Sequence, residues 1–169
     1  MAADFVFDEE LAELHDEALR WWRRGYEAQA QGQVAEAIDL YTHSLEIHPT
    51  AEAFTFRGWA YSFQGDLDNA IAECHRAIAT DPDYGNPYND IGAYLIQQEN
   101  YYDAIPWLKK AFDARRYEAP FYPRFNLGRV YEHLGDVMQA MRLYKEAYDL
   151  NNDYKQALQA FRRLQQKLN

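Results

Sequence analysis

Cysteine occurs once in the 169 residues, at Cys74. An intrachain disulfide is therefore excluded, and a reducing compartment, the cytoplasm, is the simpler expectation. Long apolar runs are missing as well. The start, MAADFVFDEE, carries an acid at Asp4 and only Phe5-Val6-Phe7 as an apolar run, unlike a signal peptide. No segment approaches the ~20 apolar residues of a membrane span, so no membrane attachment is expected. Basic residues are few. Lys and Arg number 17 against 27 Asp and Glu, a formal charge of −10. That balance argues against general binding to nucleic acid or anionic lipid. Arg23-Arg24, Lys109-Lys110, Arg115-Arg116 and Arg162-Arg163 are isolated pairs, better read as solvated helix ends than as a basic tract.

Catalytic signatures are also wanting. His15, His43, His48, His75 and His133 show no metal-ligand spacing, and HExxH, CxxC, GxGxxG and GxSxG are all absent. Cys74 and His75 are neighbours, but adjacent helical residues point about 100° apart and do not face each other. The acids Glu9, Glu10, Glu13, Asp16 and Glu17 read as a solvated helix face. Asp66, Asp136 and Asp153 sit where helices start and read as caps. No enzymatic activity, cofactor or metal is expected.

What is present is repetition. Gly25, Gly58, Gly92 and Gly128 are spaced 33, 34 and 36 residues apart, and Ala37, Ala70, Ala104 and Ala140 keep the same spacings. Seven positions after each alanine comes another small residue: Ser44, Ala77, Ala111 and Ala147. A period near 34 with several columns in register signals a stacked repeat of two helices per unit. Helices are expected to about Gln31 from a cap at Asp8, then over Val34–Ile47, Ala51–Gln64, Leu67–Thr80, from Asn86-Pro87 to about Glu99, and over Phe121–Leu134 and Val137–Leu150. Pro106 is tolerable in its helix only if the cap lies no earlier than about Tyr102. The last segment, DYKQALQAFRRLQQKLN, shows an apolar stripe opposite a Lys, Arg and Gln face, as expected of a helix covering the end of a stack.

These columns resemble the tetratricopeptide repeat. In that family the fourth slot is a large aromatic, filled here by Trp21, Phe54 and Tyr88, and the eighth is the small residue where paired helices approach closely. The twentieth is the alanine column, and the twenty-fourth holds Tyr41, Cys74, Leu108 and Tyr144. Arg124 departs from the fourth-slot pattern. Unit three is two residues long through DARRYEAPFYP, so the angle after it is expected to be irregular. The resemblance implies an all-α fold, a right-handed superhelical stack of helix-turn-helix repeats with a C-terminal capping helix. One domain over 1–169 is implied, with an N-terminal helical extension (1–17), units at 18–50, 51–84, 85–120 and 121–154, and the capping helix at 155–169.

In this family the first helices line a concave groove. The slots that face it hold Trp22, Arg23, Tyr26, Trp59, Phe63, Asn89, Tyr122, Phe125, Asn126 and Arg129. Aromatics and arginine dominate binding hot spots. The implied function is a non-enzymatic scaffold or adaptor that binds an apolar or amphipathic peptide of a protein partner. Against this, aromatic stripes at helical spacing are commonly core, and Phe5-Val6-Phe7 could itself fill the groove. Self-association into a homo-oligomer, or a structural role as an auxiliary subunit of a larger complex, stands as the alternative. The family's clamp for a terminal carboxylate is not matched: only Asn126 fits its asparagine, and no further unit supplies its cations.

Overall fold

A computed structural model describes the backbone of residues 2–168 and the side chains of residues 9–168. Among the described residues the chain is nine α-helices with one isolated backbone bridge. It forms two compact units, Met1–Pro82 and Asp83–Asn169.

The first unit holds α1 (Ala2–Ala30), α2 (Val34–Ile47), α3 (Ala51–Phe63) and α4 (Leu67–Thr80). Helix α1 is continuous and begins before Asp8, so that residue lies inside it and not at its cap. Phe5-Val6-Phe7 belong to this helix as backbone; their side chains, and the expectation that they fill a groove, lie outside the described residues. Helix α2 stops at Ile47, with His48 extended ahead of Pro49, as a following proline requires. Thr50 and Asp66 cap α3 and α4, accepting from the amides of Ala53 and Asn69.

The small-residue columns have direct causes. A Cβ on Gly25 would stand 2.6 Å from the ring of the fully buried Tyr41. Ser44 turns its hydroxyl to the Ala18 carbonyl at 2.7 Å. Cys74 takes the place of Tyr41 in the next pair and is 0% exposed, a buried thiol as its column implies. With so small a residue there, Gly58 faces backbone: its Cβ would lie 2.9 Å from the Ala70 carbonyl oxygen.

The second unit holds α5 (Asn86–Gln97), α6 (Tyr101–Asp113), α7 (Phe121–His133), α8 (Val137–Leu150) and α9 (Lys155–Leu168). A Cβ on Gly92 would meet Leu108, and one on Gly128 would meet Tyr144. Ile96, Ala104, Leu108, Leu127, Val130 and Leu143 form the main core. Helix α9 caps the array, laying Ala160 and Leu164 on Ala140 and Tyr144. Asp136 caps α8, whereas α9 begins at Lys155, so Asp153 lies one residue ahead of the cap position expected for it.

Two further expectations change, and one departure from the repeat pattern finds its cause. Asn100 is the cap of α6 and Ala104 already bonds back to it, so Pro106 is a true interior proline. The burial of Ala104, Leu108 and Ala111 holds the helix there, and Pro106 lies on the exposed side. The lengthened linker after α6 is tied to the entry of α5: Arg116 N–H donates to Asp83 O at 2.9 Å and Gly85 N–H to Arg116 O at 3.0 Å. Arg116 also lies over the Tyr84 ring, and Arg115 is 3.9 Å from Asp83, so this basic pair is engaged within the unit. Arg124 replaces an aromatic by placing its guanidinium 4.5 Å from the centre of the Phe112 ring.

Candidate functional site

In the first unit, Trp22 and Tyr26 of α1 meet the aromatic residues of α3. Together these rings form a ladder. Trp22 and Tyr26 both meet Phe56 edge-on, with centroids at 5.2 and 5.6 Å. Phe56 meets Trp59 at 5.8 Å, and Trp59 meets Phe63 at 5.3 Å. Edge-to-face contacts of this kind satisfy the ring quadrupoles and hold each ring in a defined orientation. The ladder has two sides. Trp22 and Phe56 pack against the core around Ala28, Ala37 and Tyr41, whereas Tyr26 is 47% and Phe63 62% exposed. Arg23 is exposed and makes no hydrogen bond, ion pair or ring contact among the described residues.

The second unit is polar where the first is aromatic. Asn126 on α7 donates from Nδ2 to Oδ1 of Asn89 on α5 at 3.0 Å, and Asn89 donates to Asp90 at 3.2 Å. Asn89 and Asn126 are both buried, so these amides tie α5 to α7. Burial pushes the Asp90 carboxyl up to about 7, with the Asn89 bond pulling the other way. Arg129, one turn beyond Asn126, reaches its Oδ1 at 3.4 Å. Tyr122 and Phe125 gather around Tyr154, with centroids at 5.4 and 5.1 Å. Burial, then proximity to Tyr122, pushes the Tyr154 phenol up to about 12, and Arg129 lowers it.

Beside this cluster opens a pocket of about 640 Å³. Ile96, Phe125, Tyr144 and Ala160 wall it, and Tyr101 stacks on His133 at 3.8 Å along its lining. Besides His133 and the two tyrosines, its polar residues are Arg129, Glu132 and Arg163. Arg163 donates to both carboxylate oxygens of Glu132 at 2.6 and 2.7 Å, and the Tyr144 hydroxyl adds a bond at 2.8 Å. The Arg163 bonds are the largest reason that the Glu132 carboxyl titrates below its ordinary value.

Sequence reasoning placed Glu132 beside Arg129 among the slots of α7 but missed Arg163 and Tyr154 as members of the same site, and read Arg162-Arg163 as a solvated pair. A signal was available. Arg163 follows Arg129 by one 34-residue period, so α9 continues the register of a first helix. Among the described residues no three His, Cys, Asp or Glu side chains gather as a metal set, and no helix is long and apolar enough to cross a membrane.

Two tetratricopeptide repeat models match the chain, at residues 23–85 and 83–153. Cellulose synthase operon protein C of Escherichia coli (strain K12) is 33% identical over 105 residues, 62% of this chain and 9% of that protein. Small glutamine-rich tetratricopeptide repeat-containing protein 2 of Mycosarcoma maydis is 29% identical over 107 residues, 63% of this chain and 29% of that protein. The chain thus spans less than a third of these relatives' own length. The solved structure of pilF from Pseudomonas aeruginosa superposes with a TM-score of 0.84 at 23% identity, covering 90% of this chain and 70% of that one. PilW, a type IV pilus biogenesis factor, gives 0.80 at 18% identity, covering 88% and 69%. With its glycine, alanine and ring columns packed as described and two family models reaching from residue 23 to 153, the chain belongs to the tetratricopeptide repeat family.

Proposed function

We propose that this chain is a non-enzymatic protein-interaction module whose first helices hold an apolar or amphipathic peptide of a partner protein. The reading takes 18–50, 51–84, 85–120 and 121–154 as its four units within one domain. One observation carries it: the edge-to-face ladder from Trp22 through Phe56 and Trp59 ends in exposed rings at Tyr26 and Phe63. An exposed ring normally costs solubility and finds a use at an interface, where preorganised aromatics lose little entropy on binding. Repeats of this family mediate protein–protein contacts, which supports the same reading. A lone buried thiol suits the cytoplasm.

The test pairs Trp59→Ala with Phe63→Ala in pull-downs from native lysate, with thermal melts alongside. Phe63→Ala should lose captured partners at least tenfold while melting within about 2 °C of the parent. Trp59→Ala should lose them too, with some drop in Tm because it is half-buried. An unchanged set of captured proteins with both variants would sink the aromatic-surface reading.

A further inference from the structure

The pocket beside α9 contains an unbalanced charge. Two arginines face one glutamate there. Glu132 is engaged by Arg163 and the Tyr144 hydroxyl, so that pair is neutral as a whole. Arg129 is not so engaged. It is exposed, its one hydrogen bond is the 3.4 Å contact with Asn126, and it has no carboxylate partner among the described residues. It lines the pocket together with Tyr101, Phe125 and Tyr144, and its charge acts on the Tyr144 and Tyr154 phenols. A guanidinium presents a planar fork of donors suited to a carboxylate.

We propose that this pocket receives the side-chain carboxylate of an acidic residue within a partner peptide, on Arg129, with a neighbouring apolar side chain laid against Phe125 and Ile96. The inference rests on the peptide-binding reading and adds the peptide's charge. One unspent arginine selects a monoanion. The pocket is open, so the peptide chain can continue through it and need not end there. The overall charge of −10 makes a site that selects acids depend on this local group, since the rest of the surface repels them.

The experiment is selection of a displayed random dodecapeptide library on the full chain, on Arg129→Gln and on Arg129→Glu, all three first confirmed folded by melting. Binders to the parent should be enriched at least threefold in Asp or Glu next to an apolar residue. Arg129→Gln should abolish that enrichment and Arg129→Glu should convert it to Lys or Arg. Selected peptides, synthesised with an amidated C-terminus, should bind at least tenfold tighter than versions with glutamine for the acid. Apolar binders without an acidic preference would overturn the carboxylate site and leave the aromatic-surface reading standing. A library that yields no binders overturns both. An acid requirement met equally by the glutamine peptide with a free C-terminus overturns the side-chain assignment in favour of a terminal carboxylate.

Discussion

The carboxylate of Glu73 on α4, only 2% exposed, takes the Arg57 guanidinium of α3 through Nε and Nη2, both at 2.9 Å. Arg76, one turn along α4, binds its other oxygen, and Arg57 also reaches Thr42 on α2 at 3.1 Å. This group joins three helices of the first unit. Arg57→Met should destabilise the protein by on the order of 3 kcal/mol, because it leaves a buried charge with a partner on the solvent side only. Adding Glu73→Met should recover most of that loss. Urea unfolding of both variants decides it, and a double variant less stable than Arg57→Met would mean that Glu73, still bound to Arg76, is not an uncompensated buried charge.

Glu99 is a different kind of tension. Gly32, Gly65 and Gly135 turn their repeats with φ of 81°, 78° and 85°, and Glu99 does the same work at 62°. A side chain in the left-handed region costs roughly 1–2 kcal/mol that glycine avoids. Glu99→Gly should therefore raise stability by about 1 kcal/mol, and calorimetry showing a lower Tm would refute this.

Asp90 sets a pH dependence. Its folded value, about 7, is raised by burial above the ordinary carboxylate value of about 3.9. Between these values the folded state holds more protons than the unfolded one, so this group's contribution to stability falls as pH rises from about 4 to about 7. Asp90→Asn should flatten that part of the profile and gain most at pH 8. Equal slopes for parent and variant in denaturant melts across pH 4–8 would show that Asp90 is solvated.

The columns were legible because they record contacts at fixed spacing: a glycine and the residue sixteen positions on, such as Gly25 and Tyr41, must share one small volume. The exposed rings were legible as slots, though not which of them face inward. Trp22 and Phe63 carry the same sequence signal, and only packing separates the half-buried ring from the exposed one. Pro106 was misread because local preference suggested a later cap, whereas burial of Ala104 and Leu108 fixes the helix from its other face. Arg163 and Glu132 lie 31 residues apart and meet only when α9 is in place.

The glycine–ring pairing also limits how far the repeats are interchangeable. Helices α3 and α4 have closed on each other until a Cβ at Gly58 would touch the Ala70 carbonyl, because Cys74 asks for so little room. Transplanting α2, with Tyr41, opposite α3 would force a phenol into space already taken by main chain. A recombined array built from these parts would accept whole hairpins and reject single helices.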